Sequence, residues 1–237
     1  TGIAERILHI ANVLVGKMRG GLGVANILVS TMMGGVSASN LADAAMLSRM
    51  MVPEMERKGY NRAFAAAITA GGSLVTPIIP PGIALIIYGL VADVSIGKMF
   101  IAGLVPGLLC AVVLMFTVYL VARKTNAKPS RESWPTGKEV VFSLGQAWPA
   151  LFLIFAVVGG IRANIFTPTE AGAVAVLIVL AIGFFIYREM RISHVVKALG
   201  ETARATASVM LVIMASAALG WIFSMEHAGV AVANFVT

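Results

Sequence analysis

The sequence predicts an all-α integral membrane protein, and three observations lead to this expectation. First, 59% of the 237 residues are hydrophobic and only 12% are charged, with a mean hydropathy of +0.91. Soluble domains are closer to half apolar and a quarter charged. Second, long apolar runs such as 100–121 lack the alternation of apolar and polar residues that is typical of membrane β-strands. Third, backbone groups in hydrocarbon must be paired internally, and a helix does this within one segment.

The charged and metal-binding residue types exclude several other classes of protein. The net charge is +7, but the basic residues fall in short segments between the apolar runs, where they orient a membrane protein and form no nucleic-acid surface. The single cysteine, Cys110, lies in an apolar run, and His9, His194 and His227 are far apart in sequence. We therefore expect no disulfide framework, no zinc or iron site and no cofactor.

The first part of the chain predicts an arm followed by a helical hairpin. Residues 1–19 have the pattern of an amphipathic helix at the membrane interface. Residues 20–53 contain two apolar pieces of about 13 to 16 residues, whereas a perpendicular span needs roughly 20. Small and polar residues at 34–40 join the two pieces. We therefore expect a re-entrant hairpin, which enters and leaves the bilayer on one face.

The middle of the chain predicts an interrupted helix and then a continuous one. Residues 63–91 are long enough to cross a bilayer, but Pro77, Pro80 and Pro81 fall inside them. Prolines remove backbone donors and clash with the preceding turn, so a discontinuous transmembrane helix is expected. Residues 99–122 predict an uninterrupted transmembrane helix.

The remaining sequence predicts a polar linker and further spans. Residues 123–148 form a cytoplasmic linker that ends in a short interfacial helix, and 149–237 contain about three transmembrane helices. One helix should start near Glu170, with Pro168 in its first turn. The chain opens inside an amphipathic pattern and without an initiator methionine, which indicates a fragment of a longer protein.

The distribution of basic residues supports this topology. When the loops are assigned to alternating faces, 16 of the 18 lysine and arginine residues fall on one face. Only Lys98 and Arg162 fall on the other. The positive-inside rule makes the basic face cytoplasmic. This bias depends on residues 20–53 being a hairpin. If they crossed the bilayer once, Lys17 and Arg19 would lie on the opposite face from the later basic segments.

Irregular backbone at the hairpin tip and at the helix interruption predicts a binding site. Such backbone is tolerated inside a bilayer only where it lines an enclosed cavity. In secondary transporters, carbonyls at half-helix C-termini hold sodium and half-helix N-termini face anionic groups. The predicted sodium ligands are Gly34, Val36, Ser37, Ser39 and Thr76. The predicted residues for substrate or ion binding are Gly35, Ser37, Ser39, Asn40, Asp43, Ser73, Thr76, Pro80, Pro81 and Gly82.

Each of these residues also has a purely structural explanation. Ser37 and Ser39 are typical of a tight turn. Asn40 and Asp43 have the spacing of a helix N-terminal cap, and we expect Asp43 to be a buried cap more than a direct cation ligand. An intramembrane carboxylate nevertheless stays a functional candidate. Pro80 creates the interruption under either explanation.

Several motifs together resemble one family of transport proteins. They are Gly20-Gly21-Leu22, Gly34-Gly35-Val36-Ser37-Ala38-Ser39 with Ala42-Asp43, Gly59-Tyr60, Pro77-Ile78-Ile79-Pro80-Pro81 and Thr167-Pro168-Thr169-Glu170-Ala171. In this combination the chain resembles the large membrane subunit of tripartite ATP-independent periplasmic (TRAP) transporters over nearly its whole length. Ala38 and Asn40 depart from the residues common at the family's hairpin tip.

The resemblance implies a multi-span helical transporter with an elevator-type inverted-repeat fold. It implies that 149–237 begin the second repeat and that N-terminal spans and a second hairpin lie outside this chain. It also implies a small partner membrane subunit, a periplasmic solute-binding protein that delivers an organic acid such as a dicarboxylate or sialic acid, and sodium as coupling ion. The location would be the inner membrane of a bacterium or archaeon.

The expected function is therefore sodium-coupled uptake of an organic acid. One alternative is a single-component divalent-anion/sodium symporter, which would need no binding protein. Another is a membrane scaffold subunit that transports nothing. The sequence has no Ser-His-Asp or Cys-His arrangement and no phosphate-binding loop with a lysine, so we expect neither an enzyme nor an ATPase.

Overall fold

The computed structural model describes residues 3–37, 39–125, 127, 129–131, 133–163 and 165–226. Ala38 at the predicted hairpin tip and the ends of the first and last predicted segments, 1–2 and 227–237, lie outside the described residues. The chain divides into two compact units, residues 1–189 and residues 190–237.

The described residues are helical and contain no strand. The first unit contains eight α-helices and a π-helical turn, and one long helix belongs to the second unit. In chain order they are α1 (Ile3–Val15), α2 (Gly21–Gly34), α3 (Asn40–Arg57), α4 (Arg62–Ser73), α5 (Ile83–Val91), α6 (Ile96–Lys124), α7 (Gly137–Arg162), α8 (Pro168–Ala181), the π-helical turn Ile182–Ile186, and α9 (Ile192–Met225).

Helix α1 buries one face against the rest of the first unit. Ile7, Ile10 and Ala11 recur at helical spacing and are at most 2% exposed. They pack against α2 and α7. The predicted interfacial arm is therefore a helix whose apolar stripe is covered by protein.

Helices α2 and α3 form a hairpin whose two ends lie side by side. Gly59, with φ +90°, ends α3 in the left-handed conformation, and the Tyr60 N–H then bonds back to the Met55 carbonyl, as in a Schellman cap. This turn brings the Tyr60 hydroxyl to the first turn of α2, where it accepts the Gly23 N–H at 3.2 Å. The 14 residues of α2 are about 21 Å long, less than the roughly 30 Å of a hydrocarbon core.

The proline-rich segment interrupts a helix as the sequence predicts. Helix α4 ends at Ser73, and α5 begins only at Ile83. Gly82 is the first residue after the prolines, and a Cβ atom there would overlap the Pro77 carbonyl oxygen. The intervening chain is thus a compact loop, which we call the break (residues 74–82).

Helix α6 is continuous and supports the break. A Cβ atom at Gly103 would lie 2.8 Å from the Ile78 carbonyl oxygen, and one at Gly107 would lie 2.7 Å from the Ile79 side chain. Glycine at both positions lets the break pack directly on the α6 backbone. With 29 residues, α6 is long and apolar enough to cross a membrane.

The predicted interfacial helix is continuous with the next span, although the two are strongly bent relative to each other. Residues 137–162 form one helix, α7, which bends by 52° between Gly137–Pro149 and Leu151–Ile161. A proline inside a helix removes one hydrogen bond, and here Pro149 produces a bend without ending the helix.

Further spans follow where the sequence predicts them. Thr167 and Glu170 form a capping box at the start of α8, with proline in the first turn, so the predicted helix start is confirmed. Residues Thr169–Ile186 and Ile192–Met225 are both long and apolar enough to cross a membrane. The 34 residues of α9 are about 51 Å long, which is more than one perpendicular span requires.

Candidate functional site

Helices α2 and α4 run side by side from the hairpin base to the break. At the base, Gly23 bonds to Tyr60 just before α4 starts. One turn further, the Asn26 side-chain amide donates to the Thr69 hydroxyl at 2.7 Å. Higher still, Ser30 faces Gly72, where a Cβ atom would lie 3.2 Å from the Ser30 hydroxyl. The two helices therefore share a polar seam that leads to the hairpin tip.

The hairpin tip meets the break at the upper end of this seam. A Cβ atom at Gly34, the last residue of α2, would lie 2.7 Å from the Thr76 carbonyl oxygen and 2.7 Å from the Ile79 Cβ. The two irregular segments are thus in direct contact. This is the juxtaposition on which the predicted binding site depends.

Asp43 and Thr76 join the hairpin to the break by a side-chain hydrogen bond. The Thr76 hydroxyl is 3.1 Å from Asp43 Oδ2 and 3.2 Å from the Ser30 carbonyl oxygen. Asp43 is 1% exposed and Thr76 is 0% exposed. One hydroxyl group therefore holds together α2, α3 and the break.

Two oxygen atoms beside this hydrogen bond face each other. The Ser30 hydroxyl lies within reach of the Asp43 carboxyl group, but neither Ser30 Oγ nor Asp43 Oδ1 makes a hydrogen bond of good length and angle to the described residues. A buried polar group that is left unpaired costs roughly 1–3 kcal/mol, more when charged. An oxygen-lined position that is incomplete without another group is what a bound cation would complete.

The predicted cap at the start of α3 needs correction. Ser39 is the N-cap, and its hydroxyl accepts the Ala42 N–H at 3.3 Å. Asn40 is the first helical residue, and its side chain only accepts the neighbouring Leu41 N–H at 2.9 Å. Asp43 is not a cap, because its carboxylate accepts from Thr76 instead. The spacing of polar residues was compatible with either arrangement, and Ser39 occupies the β-region conformation that an N-cap needs.

The tip serines are held in the turn that joins α2 to α3. Ser37 Oγ accepts the Ser39 N–H at 3.4 Å, and both side chains are half-buried. A hydroxyl oxygen that accepts one N–H keeps a second lone pair. Both serines therefore serve the turn and retain an acceptor for a ligand at the tip.

The tip backbone follows the end of α2. The N–H groups of Gly35, Val36 and Ser37 all point back to the Met33 carbonyl oxygen. Gly34 and Gly35 are buried, and Val36 is half-buried. This arrangement places the predicted tip carbonyls at the negative end of the α2 dipole.

The remaining predicted residues lie on the α4 and α5 sides of the break. The Ser73 hydroxyl is bonded to the Ala70 carbonyl of its own helix at 2.9 Å, so it has no hydrogen bond to Asp43. Pro80 is buried and Pro81 is half-buried. Gly82 is the N-cap of α5, and no side chain caps this helix end.

Sequence reasoning missed the polar seam below the tip. Asn26, Ser30 and Thr69 are each at most 2% exposed, yet none was singled out. The sequence does contain a pattern that indicates the seam. Asn26 and Ser30 are four residues apart on the otherwise apolar helix α2, and Thr69 and Ser73 are four residues apart on α4. Polar residues at this spacing share one helix face.

Comparison with known proteins identifies the family. Residues 1–237 match the family described as "Tripartite ATP-independent periplasmic transporter, DctM component". The chain belongs to this family. It is 37% identical over 230 residues to the sialic acid TRAP transporter large permease protein of Vibrio cholerae, an alignment that covers 95% of this chain and 52% of that protein.

Two further TRAP relatives are similar. The C4-dicarboxylate TRAP transporter large permease protein of Pseudomonas aeruginosa is 35% identical over 240 residues, covering 100% of this chain and 55% of the relative. The 2,3-diketo-L-gulonate TRAP transporter large permease protein of Escherichia coli is 34% identical over 226 residues, covering 95% and 53%. The chain spans about half the length of the curated relatives that it matches.

Membership of the TRAP family decides several sequence-based expectations. The chain is part of an inner-membrane protein, in agreement with its apolar helices. The matched family and the relatives are transporter components, which agrees with the expectation that the chain is not an enzyme. The family match also favours the TRAP hypothesis over a single-component divalent-anion symporter.

Proposed function

We propose that this chain forms part of the sodium-coupled core of a TRAP large permease that takes up an organic acid. The observation that carries the proposal is the contact between the hairpin tip and the break, with Asp43 and Thr76 hydrogen-bonded between them. Both segments are irregular backbone inside a largely apolar protein, and such backbone is tolerated where it lines a binding cavity.

Sodium is the cation that suits the oxygens near Asp43. Asp43 Oδ1 and Ser30 Oγ are buried side by side, and neither makes a hydrogen bond of good geometry to the described residues. The Thr76 hydroxyl, the tip carbonyls of Gly34 and Val36, and the hydroxyls of Ser37 and Ser39 are further hard oxygen ligands. Carbonyls at half-helix ends hold sodium in other secondary transporters. A cation at this position would neutralise the Asp43 carboxylate and tighten the hairpin against the break.

An organic acid suits the helix N-termini beside the same position. Helix α3 starts directly after the hairpin tip and α5 directly after the break, and Gly82, the N-cap of α5, provides no side-chain cap. Free N–H groups and the positive dipole end of a helix favour a carboxylate. The relatives are named for sialic acid, C4-dicarboxylates and 2,3-diketo-L-gulonate, which are all organic acids. The proposed substrate class is therefore a small carboxylate.

The proposal includes the partners that a tripartite system requires. A small membrane subunit would complete the membrane complex, and a periplasmic solute-binding protein would deliver the acid. Sodium binding would favour the state in which the hairpin tip is closed on the break, and the acid would travel with this moving part in an elevator-type motion.

The test is uptake by the intact transporter at varied sodium concentration. Thr76→Val keeps the shape of the side chain but removes the hydroxyl that bonds Asp43. We expect the sodium concentration for half-maximal uptake to rise about tenfold, which corresponds to about 1.4 kcal/mol and is near the contribution of a hydrogen bond to a charged group. Ser37→Ala and Ser39→Ala should weaken sodium-dependent uptake in the same direction.

The matched control is Thr117→Val. Thr117 is exposed on α6, and its hydroxyl bonds only to the carbonyl one turn earlier. It should leave uptake unchanged. We expect sodium to stabilise the purified unaltered protein against heat more than potassium does, and Thr76→Val should lose this difference. If Thr76→Val inserts normally and keeps the same sodium dependence, the tip and the break have no role in coupling.

A further inference from the structure

Val36 is the one large apolar side chain among the described residues of the hairpin tip. Gly34 and Gly35 have no side chain, and the hydroxyl groups of Ser37 and Ser39 serve the turn. Val36 is half-buried, so other residues cover part of its side chain. Any large apolar contact of the described tip with another part of the protein therefore depends on Val36.

Val36 packs against two separate hydrophobic clusters. The larger cluster lies within α1 to α4, the break and α6, and it contains Met33 next to the tip. The smaller cluster lies between α7 and α8, and its buried members are Leu153, Val157 and Ala171, each at most 2% exposed. Among the described residues, Val36 is the one that packs against both clusters. Its side chain therefore connects the hairpin tip to the pair of helices α7 and α8.

The surface that Val36 contacts on α7 and α8 is formed by two short apolar stripes. Leu153 and Val157 are four residues apart on α7, after the bend, and share one face of that helix. Ala171 and Ala175 have the same spacing on α8 and belong to the same cluster. The side chains of these four residues contain no oxygen, so none of them can coordinate a cation.

The position of the Val36 side chain is linked to that of the Val36 carbonyl group. The N–H groups of Val36 and Ser37 bond to the Met33 carbonyl oxygen at 2.9 Å and 2.7 Å. These two bonds hold the peptide group between residues 36 and 37, which includes the Val36 carbonyl. A shift of the Val36 side chain therefore moves this carbonyl oxygen as well.

We propose that Val36 couples sodium binding at the hairpin tip to the packing of the tip against α7 and α8. This inference rests on the proposed function, in which the Val36 carbonyl is one of the sodium ligands. Sodium holds the carbonyl and, through it, keeps the side chain in contact with Leu153 and Val157. Coupling between two sites is reciprocal, so the contact raises the affinity for sodium by the same factor. Through its side chain Val36 is a positioning residue, and α7 influences the ion without touching it.

The test measures how strongly sodium, relative to potassium, stabilises the intact purified transporter against heat. Val157→Ala shortens a side chain of the smaller cluster and leaves every proposed sodium ligand in place. We expect the sodium concentration for half-maximal stabilisation to rise about fivefold, at the lower end of the usual coupling between two sites. Val36→Ala should cause a rise of the same size. Adding Val157→Ala to Val36→Ala should cause no further rise, because the contact is already lost.

Val13→Ala is the matched control. Val13 is buried on α1 and is part of neither cluster, so this change should lower the Tm and leave the sodium concentration for half-maximal stabilisation unchanged. An unchanged sodium response in Val157→Ala would overturn the inference and leave the proposed function standing. So would a rise that Val157→Ala still causes in full in the Val36→Ala protein. If the unaltered protein shows no response to sodium, the proposed function fails and this inference fails with it.

Disulfide cross-linking of the intact transporter tests the same contact without relying on stability. In a Cys110→Ser background, Val36→Cys is combined with Leu153→Cys or with Val157→Cys. We expect at least one of these pairs to cross-link about fivefold faster in sodium than in potassium. Equal rates in the two salts, or no cross-link in either pair, would show that sodium does not hold the tip against α7.

Discussion

At the scale of single residues, Tyr60 supplies the hydrogen bond at the start of α2 that the N-cap residue of this helix cannot make. Gly20 precedes α2 with φ +80° and has no side chain to cap the helix. The Tyr60 hydroxyl, from the connection after α3, accepts the Gly23 N–H in the first turn instead. Tyr60 is 4% exposed, and burial raises the pKa of its hydroxyl above the ordinary value, so it stays protonated at neutral pH.

The corresponding prediction concerns Tyr60→Phe. This change keeps the ring but leaves the buried Gly23 N–H without a partner, which costs about 1–3 kcal/mol. We expect a lower Tm of the purified transporter and a lower sodium affinity, because the start of α2 is released and the polar seam above it shifts. Tyr119→Phe is the control, since Tyr119 is only half-buried and its hydroxyl makes no hydrogen bond to the described residues. Equal Tm values for the two variants would show that the cap has no structural role.

Residue-level expectations from the sequence succeeded where the residue type decides the conformation. Glycine and proline positions predicted the tip and the break, because these residues restrict the backbone directly. The expected cap at Asn40 was wrong, since Ser39 is an equally good cap residue and only the backbone angles distinguish the two positions. Asn26 and Ser30 were missed because the role of a single polar residue in an apolar run cannot be inferred until the helix that faces it is known.

At the scale of elements, the contact between α2 and the break depends on Gly34. The space for a side chain at Gly34 is taken by the Thr76 carbonyl and the Ile79 Cβ, each 2.7 Å from a Cβ atom placed there. Both obstacles are close to the backbone, so they cannot rotate away as a flexible side chain would. Any side chain at this position must push the hairpin tip away from the break.

We therefore predict that Gly34→Ala abolishes sodium-dependent uptake, while the protein still inserts into the membrane. The physical reason is the loss of the hydrogen bond between Thr76 and Asp43 when α2 and the break separate. Uptake in proteoliposomes and the amount of protein in the membrane fraction are the two measurements.

Gly71→Ala provides the control for this prediction. Gly71 lies in α4, and a Cβ atom there would be 3.9 Å from its nearest neighbour, Leu114. Alanine is favoured over glycine in a helix by about 1 kcal/mol, so this variant should be at least as stable as the unaltered protein and fully active. Full activity of Gly34→Ala would mean that the tip and the break need not touch.

The elements themselves were predictable to different degrees. The interruption between α4 and α5 followed from three prolines within five positions. The continuity of α7 through Pro149, where the helix bends by 52°, was not predicted. One proline costs one helical hydrogen bond, which neighbouring turns can absorb, whereas three prolines within five positions leave no continuous helical path.

At the scale of the whole molecule, the hairpin fixes which side of the membrane each later segment occupies. The bond between Gly23 and Tyr60 places both ends of the hairpin at one level, so α2 and α3 together return the chain to the face where they began. Most basic residues fall on this face, and the positive-inside rule therefore predicts that it is cytoplasmic. The elevator motion and the second repeat stay predictions, because the chain spans about half of its relatives.

Cysteine labelling of the intact transporter tests this topology. In a cysteine-free background, Arg19→Cys and Arg57→Cys place a thiol at exposed positions before and after the hairpin. We expect that the hairpin does not cross the membrane, so both thiols should be protected from an impermeant maleimide added to whole cells and should react after the cells are opened. Val94→Cys, at the exposed external end of α6, should react in intact cells, and Lys124→Cys at the other end of α6 should not. Reaction of Arg19→Cys and Arg57→Cys from opposite sides would mean that residues 20–53 cross the bilayer once, and the contact between a hairpin tip and the break would then lose its place inside the membrane.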